Sequence, residues 1–256
     1  MGVMAAERIK FTSVKSPWWC TAIIIAIGLA FAALMGWVGK QAFDDPENAG
    51  GFPGLTPDVA VGGVTQFGVM VLTIMAALAV TSEYRFGLIR TTFQAIPKRS
   101  SVLVAKAVLI GVFGAVLTAV LGFLAVFVAK GIAGGDAGAQ LTFTGGDAWR
   151  ELLGIPVYAF LCVFLAIGVA ALVRQSAAAI ALLLLWPLLI ESLVGLFGSV
   201  GRSIQPFLPF ANASHFLGSD QGIDFHWGPW GSLVYFIVFT AVIFGIALVV
   251  VDRRDA

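Results

Sequence analysis

The sequence predicts an all-α integral membrane protein with six transmembrane helices, and three observations predict it. Hydrophobic residues make up 59 % of the chain and charged residues only 11 %, against about 25 % charged in soluble domains. The mean hydropathy is +0.98. The apolar residues also fall in continuous runs and do not alternate, which is the pattern of helices and not of a barrel. One membrane domain, residues 1–256, fills the length, with no room for an added soluble domain. A net charge of +1 gives no footprint for nucleic acid, and none is expected as a partner.

The elements follow in chain order. Residues 1–17 mix Ile9, Phe11 and Val14 with Lys10 and Lys15, ahead of Trp18 and Trp19. That mixture suits a helix lying in the interface with tryptophans at headgroup level. Ala30-Phe31-Ala32 has the look of a signal-peptide cleavage site, but the apolar run continues past it, so a first span over residues 18–38 is preferred. Residues 40–62, rich in Gly, Pro and Asp, read as an irregular loop. The second span, residues 63–80, carries Thr65, Gln66 and Thr73, which either line a polar path or bond to neighbouring helices.

Residues 81–100 read TSEYRFGLIRTTFQAIPKRS. Phe86, Ile89, Phe93 and Ile96 recur at helical spacing, flanked by Arg85 and Arg90, and Pro97 closes the pattern. A short basic amphipathic helix between two spans is expected there, suited either to a docking role or to a plain charged loop. The third span, residues 102–128, has small residues at steps of four, Gly111-Ala115-Ala119 and Gly114-Thr118-Gly122, so close packing in the interior is expected. Residues 130–150 are a second polar loop. Arg174, Gln175 and Ser176 leave only a tight turn between the fourth span, residues 152–173, and the fifth, residues 177–196. These two spans must then be antiparallel neighbours.

The fifth span holds Glu191, an acid inside an apolar run, one turn after the helix-kinking Pro187. A charge at that depth costs roughly 2.5–3.5 kcal/mol on insertion scales, so it needs a partner or a cavity. Either Glu191 bonds within the protein, protonated or with Arg202 or His215, or it faces a transport path; the first is preferred. Residues 198–229 are too apolar for a free loop and too broken for a span, and read as re-entrant or interfacial pieces. The sixth span is residues 230–251. Cys20 and Cys162 fall inside spans as packed thiols. His215, Asp220, Asp224 and His226 match no metal-ligand spacing, and Asn212-Ala213-Ser214 fits a glycosylation sequon by only three residues. No phosphate-binding G-x-x-x-x-G-K-[ST] loop, complete G-x-S-x-G elbow or H-E-x-x-H motif occurs. Neither enzyme activity nor a cofactor is therefore expected of this chain.

Orientation follows from the basic residues. Arg8, Lys10, Lys15, Arg85, Arg90, Lys98, Arg99, Lys106, Arg174, Arg253 and Arg254 share one side, and Lys40, Lys130, Arg150 and Arg202 the other. Eleven against four places both termini in the cytosol of a multi-pass plasma (inner) membrane protein.

Six spans, an interfacial N-terminal helix, and above all Ser82-Glu83-Tyr84-Arg85 through Arg99 followed by Val102-Leu103-Val104-Ala105-Lys106-Ala107 resemble ATP-binding-cassette permeases of the second type. Trp186-Pro187-Leu188 and Leu208-Pro209-Phe210 add weaker support. The resemblance implies the transmembrane subunit of an exporter for a drug, lipid or glycolipid, coupled to a separate ATPase that carries ATP and Mg. It implies a second permease copy as a homodimer, and a cytosolic coupling helix at residues 83–99 where Glu83, Arg85, Phe86, Ile89 and Arg90 meet the ATPase. It also implies a path or outer gate involving Gln66, Thr73, Glu191, Phe207 and Phe210, with re-entrant helices in residues 198–229. The alternative is an ion-gradient-driven secondary transporter or channel, which would want more ionisable residues at mid-membrane than Glu191.

The topology is open to test by side-specific cysteine labelling in a background lacking Cys20 and Cys162. Cysteines at both termini and at Arg90 should label only from the cytosol, and cysteines at Asp45, Asp147 and Asp220 only from outside. Labelling of positions 90 and 147 from the same side would refute it.

Overall fold

The computed structural model describes residues 2–45, 52, 54–88, 99–139, 141–142, 146–219 and 222–253. Among these, six helices are long and apolar enough to cross a membrane: Lys15–Asp44, Pro57–Arg85, Arg99–Ala133, Ala148–Val173, Ser176–Gly195 and Pro229–Arg253. No strand occurs among the described residues. The spans outrun their hydropathy. The third has 35 residues, roughly 52 Å at 1.5 Å per residue, well beyond a hydrocarbon core of about 30 Å. Much of what reads as loop at residues 40–62 and 130–150 is therefore helix. A helix satisfies its own backbone and can continue into water past the last apolar residue. Pro57 in the first turn, followed by Asp58, starts the second span early, because proline lacks an N–H that would go unpaired there and aspartate suits the positive helix end.

The second and fourth spans form the centre, each with 56 % of its most apolar stretch buried, against 39 % for the third and 17 % for the fifth. The third span thus departs from expectation. Gly111, Gly114, Thr118 and Gly122 make one packed face, where a Cβ at Gly114 would lie 2.5 Å from Leu72 and one at Gly111 2.9 Å from Phe160. Val112, Val116, Val120 and Phe127 on the other face are exposed. The small residues brought one face into close contact; they did not bury the whole helix.

The N-terminal helix is Val3–Ser13, and extended backbone at Val14 (ψ 140°) separates it from the first span. It is not purely interfacial, because Phe11 packs edge-on to Phe113 of the third span at 5.2 Å. Lys106, near the start of the third span, is bonded to Glu7 of this helix and to Glu83 at the end of the second span. The Ser100 N–H donates to Asp252 of the sixth span at 3.0 Å. One end of the bundle, the terminal end, therefore gathers both ends of the chain.

The turn between the fourth and fifth spans is as tight as the sequence implies. Arg174 adopts φ 59°, its guanidinium lies 5.0 Å over the Tyr84 ring, and the Ser176 hydroxyl donates to Thr81 at 2.8 Å. At the distal end, the expected broken segment is a helix Gly198–Ile204, a tight turn Gln205–Phe207 and a helix Pro209–Phe216. The second of these is the capping helix below.

Gly36 marks the closest approach of the first span to the third: a Cβ there would fall 2.5 Å from the Ala129 carbonyl oxygen and 2.9 Å from its Cα. Backbone cannot swing aside as a side chain can. Gly36→Val should lower stability in detergent by about 1–3 kcal/mol, read by thermal or denaturant unfolding. Gly131→Ala, with nothing within 4 Å of the added carbon, should leave it unchanged.

Candidate functional site

A cavity of about 600 Å³ opens among the second, fourth and fifth spans and the capping helix. Its walls run along the second span from Asp58 to Thr73, roughly 22 Å of helix, so it occupies the distal part of the bundle. The second and fifth spans are also the two that depart from α-helical winding, with π-helical turns at Gly63–Gly68 and Trp186–Ile190. Such turns are frequent at functional positions in membrane and soluble helices alike. In the fifth span Pro187 supplies the cause, since it cannot donate the usual backbone bond. In the second, Gly63 sits so close to Phe31 that a Cβ would overlap it.

Glu191 closes the cavity by capping a helix that is not its own. The capping helix begins after Leu208, whose side chain cannot take up the free N–H groups of the first turn. Pro209 has no N–H to satisfy. The next two, on Phe210 and Ala211, donate to the Glu191 carboxylate at 3.0 and 2.7 Å, and the Trp186 indole N–H donates to it at 3.1 Å. The preferred expectation, bonding inside the protein, holds in kind. The partners are two amides and an indole in place of Arg202 or His215, and Glu191 lines the cavity as well. His215 instead bonds Ser232 at 2.9 Å and stacks on Phe225 at 4.1 Å.

The capping helix is tied to the segment leading into the sixth span through Asn212, which is fully buried. Its Nδ2 donates to the Pro206 and Leu208 carbonyls at 2.7 and 2.8 Å, and its Oδ1 accepts from the Trp227 indole at 2.9 Å. The sequon reading fails here, because a glycan cannot be placed on a buried amide whose donor and acceptor are both engaged. Of the other residues that the resemblance implies for a path or outer gate, Gln66, Thr73 and Phe210 line the cavity and Phe207 does not. Phe207 is exposed beside His226 and Trp227, and its contribution is a carbonyl that accepts from the Tyr235 hydroxyl at 2.6 Å. Thr73 spends its hydroxyl on the Val69 carbonyl at 2.8 Å.

A second polar centre sits at the terminal end. Lys106 bonds Glu7 at 2.5 Å and Glu83 at 3.0 Å, and Lys10 bonds the same two carboxylates at 3.0 and 3.2 Å. Two cations and two anions cancel. Glu7, Glu83 and Lys106 are buried, while Lys10 is half-exposed and closes the group toward water. Burial alone would lower the Lys10 pKa; the hydrogen bond to Glu7 and the charges of Glu83 and Glu7 outweigh it and hold the group above the ordinary lysine value. The share of stability that Lys10 adds is therefore complete below about pH 10 and fades only as the pH climbs through its folded value.

This cluster changes the placement of the residues expected to meet an ATPase. Glu83 faces inward to Lys106, and of the group only Arg85 and Phe86 are exposed among the described residues. The helix carrying Glu83 is the second span itself. It ends at Arg85, and Gly87 (φ 68°) turns the chain away. Ile89, Arg90 and the rest of the apolar stripe lie outside the described residues, as do Asp220 and Arg254. Sequence reading passes over Glu7 and counts Lys106 only among the basic residues of the cytosolic side. The available signal was a lysine inside an apolar helical run, which requires a buried partner.

Replacing Lys106 by Met strands two buried carboxylates against one half-exposed lysine. Stability should fall by about 3–5 kcal/mol, and limited proteolysis should now cut at Lys10 or Lys15. Glu7→Gln, Glu83→Gln and Lys106→Met together should recover most of the loss, because no buried charge is then left uncompensated and the half-exposed Lys10 can reach water. No family model, characterised protein or solved structure matches the chain.

Proposed function

We propose that this chain is the transmembrane permease subunit of an ATP-driven exporter of the ATP-binding-cassette kind. Two copies would pair around a central path, and each would engage a separate ATPase subunit that holds ATP and Mg. The observation that carries the reading is the cavity bounded by the second and fifth spans and capped at the distal end, with Gln66, Glu191 and Phe210 in its wall. These are the elements that the resemblance assigns to the path and its outer gate.

In this reading the loop between the second and third spans, beginning at the exposed Arg85 and Phe86, is gripped from the cytosol. ATP binding draws two such loops together. The second and third spans are joined near those loops by Glu83 and Lys106, so they move as a unit and rock the cavity walls. The π-helical turns at Gly63–Gly68 and Trp186–Ile190 supply places where these walls bend. An ion-gradient transporter is the second reading, favoured by one observation, the acid Glu191 at a broken helix in a cavity. Against it, the carboxylate is already held by three N–H donors.

The purified chain should show no ATP turnover by itself, and reconstitution with its ATPase should restore turnover and transport. Arg85→Glu or Arg90→Glu should leave membrane levels normal while weakening ATPase association at least tenfold, since like charges across an interface cost several kcal/mol. Ion-gradient-driven transport in vesicles that contain no ATPase would replace this reading with the second one.

A further inference from the structure

The cavity has one electrostatic sign. Asp58, Glu151 and Glu191 line it, and no lysine, arginine or histidine does so among the described residues. Glu191 is 8 % exposed, and its bonding partners are neutral N–H groups, so hydrogen bonds hold it in place without a countercharge. A carboxylate has about four acceptor positions; three are filled, and one remains for a further donor. Asp58 lies in the first turn of the second span, exposed, with no salt bridge to a described residue. The remaining wall mixes aromatic and apolar residues, Tyr158, Phe210, Met70 and Leu183 among them, with uncharged polar ones such as Gln66, Thr73 and Gln205. Aromatic faces attract cations, the more so where water is excluded.

We propose that this cavity binds an organic cation of drug size, its positive centre toward Glu191 and its apolar body against Tyr158, Phe210 and Met70. About 600 Å³ suits such a ligand, because small-molecule sites run from about 300 to 1,000 Å³. An inorganic cation would need a cluster of ligands, and no group of three His, Cys, Asp or Glu side chains able to hold one is present among the described residues. An anionic amphiphile would bring its charge to three acids with no basic residue to receive it. The inference deepens the exporter reading by naming the substrate class, and it rests on taking this cavity as part of the path.

The test uses the full-length chain alone, in nanodiscs of zwitterionic lipid, with two probes of nearly the same shape and opposite charge, tetraphenylphosphonium and tetraphenylborate. Saturable binding is measured by equilibrium dialysis against empty nanodiscs. The phosphonium should bind saturably and the borate should not. Glu191→Gln should weaken phosphonium binding about tenfold or more, the size of one charge contact in a partly desolvated site. Asp58→Asn should weaken it a few-fold, and Met70→Trp, which fills the cavity, should abolish it. If Glu191→Gln does not fold, Asp58→Asn and the comparison of the two ions still decide. Equal saturable binding of both ions, or phosphonium binding unchanged in Asp58→Asn and in any folded Glu191→Gln, overturns the proposal. No ATPase is present, so failure here leaves the exporter reading standing, and failure of ATPase association leaves the cation site standing.

Discussion

Backbone amides inside a bilayer have no water to bond, so where a chain breaks its helices there another group must supply the partner. The clearest case is the capping helix. It starts with Leu208, a residue that cannot cap, and with Pro209, which has no N–H. The two N–H groups left over reach across to Glu191 on the fifth span. One carboxylate within the fifth span thereby caps the start of another helix and forms part of the cavity wall. Asn212 does the same for carbonyls at the other side of the turn, receiving in exchange the Trp227 indole. These bonds act beside apolar contacts of the same helix, Phe210 against Phe236 and Phe216 against Trp230, and together they hold a helix of only eight residues in place.

Charge obeys the same logic at the terminal end. A lone lysine at position 106, buried among apolar residues of the third span, would be prohibitive; with Glu7, Glu83 and Lys10 it belongs to a neutral set of four. Pairs of this kind add little net stability over apolar packing, because desolvation consumes most of the Coulomb gain. Their value is in specificity. Docking of the N-terminal helix brings Glu7 to Lys106, and a separate bond from Lys106 to Glu83 ties the end of the second span to the third.

The fifth span is the least buried of the six, with Leu182, Leu185, Leu189 and Leu193 all exposed. In a bilayer such a face is compatible with lipid or with another helix. Its other face borders the cavity through Leu183, Pro187 and Glu191. A span packed firmly only near the Arg174 turn and anchored distally through Glu191 is free to bend between, where its π-helical turn lies.

Much of this was determined by sequence alone. Hydropathy located six spans, because the cost of exposing a polar backbone to lipid is local and additive along the chain. The Arg174-Gln175-Ser176 turn, the broken distal segment and the need of Glu191 for an internal partner could be read directly. Span ends could not, since a helix that satisfies its own backbone continues into water wherever nothing stops it. Nor could the identity of partners. Glu7 is 99 residues from Lys106, and Glu191 is 19 and 20 residues from the amides it accepts. Such pairs are chosen by which helices lie side by side, and a single sequence carries the demand for a partner but not the address of the one that answers it.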